Sequence, residues 1–577
     1  MTTTIRTATT TAVMAMTEQT MAKSEVMGLP KGLRKRFYEP VLLLDALRYV
    51  YRKDNRLSEP DLESGVGRSN RETYFCFLNK LCQICDSRSK QALGGTVSAI
   101  TVLDSGTIEY RLASNQRNSA ELETVKEYLT EILSVLGRAT DDKVTDRAAR
   151  APIASGILRR ILAFNRPRIE DYLESLVRDD RLDFCIKYAL SDGTAQGRAT
   201  AEALEELRPH FDAARRASPV DHDQFARHVE SLLQTIDTHY ENALDEYMKR
   251  FSDPDSPWRE LRHAIGRLLS YFIAVRVLFT ARKLWPLLFV DFKVATVPSS
   301  MPLEQPRDYR RTANKIITRM TCNKTEVETF QRHAASLQKH GLDKHISQQA
   351  DPDRFRPIVH AEVLLLDSVL RSRLAADRDG DGPLRFFGEA EFGRYIASSK
   401  PTCLLCHAYF TVHPEGVLCR PSHGNLYYNW RAPDLHPDDA EGAVKEREDI
   451  LEKMVKIVRA ETFRAIRERS YTRSRHDSRD TPSDPLGSTA LTESLVGDGG
   501  SVLAAQVGVS QNGRRMAYAG SRHDPRGTPS EPLGGIALSE SSILAAQVAS
   551  VSQGGRRAGY GGVMGWKAQS DLDTASV

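Results

Sequence analysis

Two short stretches decide how this chain folds and what it holds: His360-Ala-Glu362 and Pro401-Thr-Cys403-Leu-Leu-Cys406. Together they supply one imidazole, two thiols and one carboxylate. Cys403 and Cys406 are three residues apart, so on a helical turn their side chains point to the same side. Two thiolates and one imidazole bind Zn²⁺ with a fourth position open, which is typical of a catalytic zinc site. The sequence therefore predicts one zinc ion held by His360, Cys403 and Cys406.

Glu362 lies two residues after the predicted ligand His360 and is not needed to complete the metal site. Water bound to zinc has a pKa of about 7 and becomes a hydroxide nucleophile near neutral pH. A carboxylate beside it can accept a proton and pass it to a leaving amine. Deaminases that act on nucleobases combine H-x-E with P-C-x-x-C for this reaction. The pattern predicts hydrolytic removal of an exocyclic amine by zinc hydroxide, with Glu362 as the proton shuttle.

Four segments carry a resemblance to a known family: His360-Ala-Glu-Val-Leu-Leu365, Ser399-Lys-Pro-Thr-Cys-Leu-Leu-Cys-His-Ala-Tyr-Phe410, Ser422-His-Gly424 and Trp430-Arg-Ala-Pro433. They resemble the OTT-type deaminase-like proteins that are common in fungi and belong to the cytidine deaminase superfamily. The resemblance covers roughly residues 355–435. Thr402 departs from the wider superfamily, in which the proline directly precedes the first cysteine. The cysteine spacing itself is kept. The substrates of such proteins are largely unassigned, so the resemblance implies the reaction but no particular substrate.

The resemblance implies a three-layer α-β-α domain, within an α/β fold, and additional site residues. His423 and Trp430 would line the substrate pocket, one with a polar and the other with a stacking side chain. Residues 96–113 show two alternating runs about a short glycine-containing turn, which predicts a β-hairpin. A lone hairpin is marginally stable, so it is predicted to join the sheet beside His360. Superfamily members often end such a hairpin near a substrate-facing asparagine, here Asn115.

The cysteines also permit a second metal hypothesis. Cys403-x2-Cys406-x12-Cys419-x3-His423 has the spacing of a structural zinc finger. A proline and a glycine around its last two ligands would break the helix that such a finger needs. The finger would also leave the histidine and glutamate of the first stretch without a role. A catalytically inactive, zinc-stabilised interaction or scaffold protein is the alternative function.

Composition is that of an ordinary globular protein: 577 residues, 40% hydrophobic, 27% charged, with a formal net charge of +4. That charge is too small to indicate nucleic-acid binding by itself. Eight unevenly spaced cysteines do not form a disulfide framework, so an intracellular location is expected. A cytoplasmic or nuclear location is expected rather than a mitochondrial one. Arginines interrupt the most apolar stretch, Leu268–Val275, and no membrane partner is expected. The expected partner is a nucleobase-containing substrate, as a free nucleotide or in a nucleic acid.

Helical periodicity dominates the middle of the chain. Asn118 is a predicted N-cap, with Glu121 three residues later. A long apolar face over residues 220–251 predicts a helical hairpin or a dimerising helix. Two basic segments, Lys31–Arg36 and Arg307–Arg319, fit either a phosphate-binding surface or ordinary solvated helix faces, of which the second is expected.

The C-terminal composition shifts to Ser, Gly, Arg and Asp, and Leu503-Ala-Ala-Gln-Val507 recurs as Leu544-Ala-Ala-Gln-Val548. Two copies with few apolar residues cannot build a solenoid, so a disordered tail with a tandem duplication is expected. The predicted organisation is a disordered N-terminus (1–30), a helical segment (31–95), the hairpin (96–115), a mainly α-helical region (116–350), the zinc deaminase-like core (351–440), a C-terminal helix (441–470) and the tail (471–577).

Overall fold

The computed structural model describes residues 26–51, 57–58, 69–87, 95–251, 256–304, 309, 312–379, 383–437, 439, 441–469 and 473–474. The disorder expected for the N-terminus and for the repeated tail falls almost entirely outside these residues. The described part is mostly helical and contains one mixed sheet, which is compatible with the predicted α/β class.

The strands are short and come from distant parts of the chain: β1 (Leu57–Ser58), β2 (Ser98–Asp104), β3 (Ile108–Ser114), β4 (Phe292–Val297), β5 (Arg385–Phe386), β6 (Tyr395–Ser398), β7 (Leu418–Cys419) and β8 (Arg473–Ser474). The main sheet has the order β4-β3-β2-β6-β7, and β5 also pairs with β2. Strands β1 and β8 form a separate parallel pair.

The predicted hairpin is present and belongs to the main sheet. Strands β2 and β3 pair antiparallel from Ser98↔Ser114 to Asp104↔Ile108. Gly106 in the turn has a φ of 90°, which an L side chain rarely adopts. On its other side β2 pairs antiparallel with β6, with Ala99 opposite Ser398. The hairpin thus joins the strand that precedes the cysteine motif, as the sequence predicts.

Helices surround this sheet: α1 (Lys31–Val50), α2 (Asn70–Cys85), α3 (Ser119–Arg138), α4 (Asp141–Thr145), α5 (Arg147–Phe164), α6 (Arg166–Val177), α7 (Arg181–Ser191), α8 (Ala195–Arg216), α9 (His222–His239), α10 (Asp245–Lys249), α11 (Pro257–Leu284), α12 (Ala313–Met320), α13 (Lys324–Leu337), α14 (Leu342–Gln349), α15 (Ala361–Asp379), α16 (Glu389–Phe392), α17 (Leu404–Val412) and α18 (Glu441–Glu468). Asn118 caps α3 and exchanges hydrogen bonds with Glu121, as predicted.

The helical region is a crossover connection rather than a purely helical block. It contains β4, a strand that the sequence analysis missed, and β4 pairs in parallel with β3. Parallel neighbours cannot be joined by a tight turn, because the chain must return to the same end of the sheet. Helices α3 to α11 make that return. Similarly, α17 connects the parallel strands β6 and β7.

Two hydrophobic cores lie on opposite faces of the hairpin. Ile100 and Val102 of β2 belong to the core formed with α2 and the helices from α3 to α11. Ala99 and Leu103 belong to the core formed with α1, α15, α17 and α18. This alternation follows from the two-residue period of a strand. A strand that is buried on both faces positions both helical layers at once.

The apolar face predicted over residues 220–251 is covered by other helices of the same chain. It is divided between α9, a π-turn at Tyr240–Leu244 and α10. Phe225, Val229 and Leu233 are fully buried in the core that also includes α5 and α8. The burial accounts for this face without a second copy of the chain.

Among the described residues one helix, Pro257–Leu284, is long and apolar enough to cross a membrane, and 78% of its apolar window is buried inside the fold.

A buried carboxylate links the helical region to the sheet. Asp86 has no exposed surface, and its carboxylate lies 2.8 Å from the Arg168 guanidinium and 3.9 Å from the Lys400 ammonium. Thr96 and Ser399 donate hydrogen bonds to it at 2.7 and 3.0 Å. Burial acts to raise the pKa of Asp86, but the charges of Arg168 and Lys400 outweigh it and hold that pKa well below its usual range.

We predict that Asp86→Asn lowers the free energy of unfolding at pH 7 by about 3–5 kcal/mol, because it leaves Arg168 without its buried partner. The folded pKa of Asp86 is depressed, so its contribution is complete above the unfolded pKa of about 3.9 and is lost as the pH falls below that value. Urea unfolding at several pH values measures both effects. The control is Glu131→Gln, an exposed carboxylate paired with Arg160, for which a change of less than about 1 kcal/mol is expected. Equal losses in both variants would contradict the role given to Asp86.

Candidate metal centre

The chain reaches His360 through an extended segment that the loop around Trp430 holds in place. The Ile358 N–H donates to the Asn429 carbonyl at 3.1 Å, and the Arg431 N–H donates to the Ile358 carbonyl at 2.9 Å. Helix α15 begins at the next residue after His360, so Glu362 lies in its first turn. Imidazole and carboxylate therefore sit at the N-terminal end of a helix, where the backbone N–H groups favour negative charge.

Cys403 is the N-cap of α17, and its Sγ accepts a hydrogen bond from the Cys406 N–H at 3.3 Å. The thiolate form of Cys403 is favoured there by the helix dipole. Thr402, the residue that departs from the superfamily pattern, is fully buried. Its hydroxyl donates to the Arg420 carbonyl at 2.9 Å, and its N–H donates to the Pro421 carbonyl at 3.2 Å. Thr402 thus fixes the start of α17 against the loop that carries Ser422-His-Gly424.

The two ligand stretches meet as the sequence spacing predicts. The Nδ1 atom of His360 lies 3.6 Å from Sγ of Cys403 and 3.3 Å from Sγ of Cys406. The ligand atoms of these three residues all lie within 4.8 Å of one another. The Glu362 Oε2 atom lies 3.9 Å from Sγ of Cys406, beside the group rather than within it. Cys403, Cys406 and Glu362 are buried, and His360 is half-buried.

In the absence of an ion, the electrostatics of the group favour the thiolate form of Cys403 and oppose ionisation of Cys406 and Glu362. Burial acts to raise the pKa of Cys403, but hydrogen bonds from Cys406 and the charge and hydrogen bond of His360 hold that pKa well below its usual range. Burial and the neighbouring Cys403 raise the pKa of Cys406. Burial also raises the pKa of Glu362. A cation bound by the sulfurs would lower the pKa of both thiols and of the Glu362 carboxyl group, since it stabilises thiolate and carboxylate.

The donor set fits a tetrahedral metal ion. Ligand bonds of about 2.0–2.1 Å to nitrogen and 2.3 Å to sulfur give nitrogen-to-sulfur separations of about 3.6 Å in a tetrahedron. The observed separations of 3.6 and 3.3 Å match that value within a few tenths of an ångström. His360, Cys403 and Cys406 could therefore hold a metal ion with little rearrangement.

The structural zinc finger finds no support in this geometry. Among the described residues, the group of metal-ligating atoms contains His360 with the two cysteines of α17, and neither Cys419 nor His423. Cys419 lies in β7. The His423 Nδ1 atom accepts a hydrogen bond from the Asn425 N–H at 2.9 Å.

The three residues predicted to contact substrate have different surroundings. Asn115 follows the hairpin, and its Oδ1 accepts a hydrogen bond from the Ala361 N–H at 2.8 Å, so it caps the helix of Glu362. His423 is 8% exposed, and burial lowers its pKa to about 4, which keeps its imidazole neutral. Trp430 is fully buried and packs against Phe37. Trp430 therefore has no exposed face in this structure, and its role in stacking on a base stays a prediction.

Tyr427 is a site residue that the sequence analysis missed. Its ring lies 6.4 Å from that of His360 and 5.9 Å from that of His423, measured between centroids. It is 47% exposed, so part of its surface is accessible beside the metal-ligand group. Tyr427 falls within the segment between Ser422-His-Gly424 and Trp430, but no spacing rule distinguishes it from the adjacent Tyr428. Its position became visible only in the fold.

Comparison with known proteins agrees with this geometry. Residues 359–434 match the model of a family described as OTT_1508_deam-like deaminase. No curated protein and no solved structure matches the chain. The matched segment begins next to His360 and includes both cysteines and the Trp430 loop, and it supports a hydrolytic enzyme of the deaminase class. The resemblance found in the sequence is confirmed for this part of the chain, since residues 359–434 match an OTT-type deaminase family.

Proposed function

We propose that the protein is a zinc-dependent deaminase that hydrolyses the exocyclic amine of a cytosine or adenine base, in a free nucleotide or a nucleic acid. One observation carries the proposal: three metal-ligating atoms lie within 4.8 Å of one another, with a buried glutamate at their side. A structural zinc site would use a fourth protein ligand and would not need that carboxylate. The sheet and its flanking helices would form the cytidine-deaminase-like core.

Zinc is the ion that best suits two thiolates and one imidazole. When bound, it lowers the pKa of water at its open position to about 7 and so supplies a nucleophile near neutral pH. His360, Cys403 and Cys406 would hold it. The eight cysteines of the chain are all unpaired, which fits the intracellular location that we propose.

Glu362 is the residue that moves protons in the proposed reaction. Deamination adds the oxygen of water to the ring carbon and releases ammonia, so a proton must leave the water and the leaving amine must gain one. Glu362 can do both in turn, because its Oε2 atom lies beside the metal-ligand group, 3.9 Å from Sγ of Cys406. The helix cap from Asn115 holds the first turn of α15 and so orients this carboxyl group.

Neutral His423 and half-exposed Tyr427 provide the remaining contacts in the proposal. A neutral imidazole can donate from one nitrogen and accept at the other, which suits the polar edge of a base. An aromatic face beside it can stack on the ring of the base. Trp430 would support the site by packing, since its buried ring lies 6.0 Å from that of Tyr409 in α17, measured between centroids.

We expect one zinc ion per chain in metal analysis of the purified protein. Cys403→Ala should lose nearly all of it, because Cys403 is both a ligand and the N-cap of α17. Cys419→Ala removes a thiol of the same motif and should keep the zinc. Loss of zinc from Cys419→Ala with retention in a His360→Ala variant would support the finger instead.

Glu362→Gln should retain zinc and fold but lower deamination by about 10²–10⁴-fold, the usual contribution of a general acid–base group. The assay incubates the zinc-loaded protein with bases, nucleosides, nucleotides, single strands and tRNA. Ammonia release and a mass gain of about one unit report the reaction. Unchanged turnover in Glu362→Gln would contradict the proton-shuttle role. No turnover on any of these substrates by the zinc-loaded wild type would favour the inactive, zinc-stabilised alternative.

Tyr427→Ala and Trp430→Ala separate a stacking role from a packing role. Tyr427→Ala should raise the KM about 5- to 150-fold, since stacking of a base on an aromatic side chain contributes about 1–3 kcal/mol. It should change the melting temperature little. Trp430→Ala should lower the free energy of unfolding by about 3–5 kcal/mol, because it leaves a cavity in the core. The opposite assignment of KM and stability effects would restore Trp430 as the stacking residue.

A further inference from the structure

A basic pocket lies between three helices that come from distant parts of the sequence. Its volume is about 380 Å³, and its charged lining is Lys35, Arg36 and Glu39 of α1, Arg319 of α12 and Arg459 of α18. Lys35 and Arg36 from the first basic segment of the sequence and Arg319 from the second therefore line one cavity. A fourth cation, Arg459, joins them from the C-terminal helix. Ordinary solvated helix faces, which the sequence analysis favoured, would not converge on a common cavity.

The positive groups of this pocket outnumber the negative ones. Arg319 forms two hydrogen bonds to the buried carboxylate of Glu39, at 2.9 and 3.0 Å. Arg36 pairs with Glu452 at the edge of the pocket. Four cations and these two carboxylates leave an excess of two positive charges. Such an excess in a concave site concentrates anions near it.

Arg459 has a hydrogen-bond donor that no other group among the described residues satisfies. Its Nε atom is buried and has no hydrogen-bond partner. Burial and the charge of Arg36 both hold the pKa of Arg459 below its usual range. A buried donor without a partner destabilises the folded protein, and like charges held together add to that effect. An arrangement that is unfavourable in the free protein and favourable with an anion present is typical of a binding site.

We propose that this pocket binds a phosphoryl-bearing anion, with the guanidinium groups of Arg36, Arg319 and Arg459 as its principal donors. The planar fork of arginine matches two oxygens of a phosphate group, and arginine is preferred where that geometry matters. An anion of more than one charge suits the excess of two cations. The phosphoryl group belongs either to a small phosphorylated molecule or to the backbone of a nucleic-acid strand.

Helix α1 places this pocket at a distance from the metal-ligand group. Arg48, near the C-terminal end of α1, donates to the Leu426 carbonyl at 2.6 Å, in the loop between His423 and Tyr427. Arg36 is twelve residues earlier on the same helix, which corresponds to about 18 Å along its axis. The pocket is therefore a separate site, and its occupation does not depend on the proposed deaminase reaction.

The experiment measures binding to the full-length protein by calorimetry, with two probes. One is inorganic pyrophosphate, and the other is a single-stranded oligonucleotide of about 20 nucleotides, longer than a typical binding site of 4–16. Arg459→Gln should weaken binding at least about tenfold, the effect of one charge-assisted hydrogen bond. Arg216→Gln is the matched control, because it removes the same charge from a side chain that is 79% exposed on α8.

The outcomes separate the sources of phosphate. Binding of pyrophosphate that Arg459→Gln weakens, while Arg216→Gln does not, supports a small phosphorylated ligand; the same pattern with the oligonucleotide alone supports a strand. The melting temperature of Arg459→Gln without ligand should equal or exceed that of the wild type, because a repulsive charge is removed. If this variant does not fold, Lys35→Gln takes its place. Absence of binding by either probe, or equal weakening in the control, would overturn the proposal.

Discussion

The pairing of β2 with β6 is the interaction on which the rest of the structure depends. It joins residues almost three hundred positions apart, with Ala99 opposite Ser398. Strand β2 also pairs with β3 and β5, so most of the sheet is built around it. Its side chains enter the two cores alternately. Because both faces are buried, a shift of one residue in its register would move every apolar side chain to the wrong core. The helices on the two sides are therefore positioned relative to one strand.

The positions of the metal-ligating residues depend on strand β2 and its neighbours. The far end of the hairpin delivers Asn115, which caps the helix that begins after His360. The neighbouring strand β6 leads directly to Cys403, the cap of the second helix. One half of the donor set is thus capped by a residue that follows β3, and the other half follows β6, which is the second neighbour of β2. Each half enters a helix whose first turn favours negative charge. Two helix N-termini that converge in this way lower the cost of holding thiolates and a carboxylate together out of water.

Sequence spacing was sufficient for the donor set, because H-x-E and C-x-x-C are local patterns whose chemistry depends on few residues. Strand alternation was sufficient for the hairpin. Contacts between distant segments could not be derived in the same way. Asn115 was expected to face substrate, which stays a prediction, and its hydrogen bond to a backbone N–H 246 residues later was not foreseen. The apolar face of α9 indicated burial and not which helices would cover it. Strand β4 is only six residues long and follows a helix of 28 residues, so its two-residue alternation was not recognised in the sequence.

The family match and the fold have different boundaries, and the difference has a physical cause. Residues 359–434 contain the donor set, but the strands that support it, β2 and β3, lie outside the match. Helix α15 packs its buried face on these strands. Asp86 adds an ionic connection, since it binds Arg168 of the helical region and lies near Lys400, three residues before Cys403. The helical region is therefore part of the scaffold of the site.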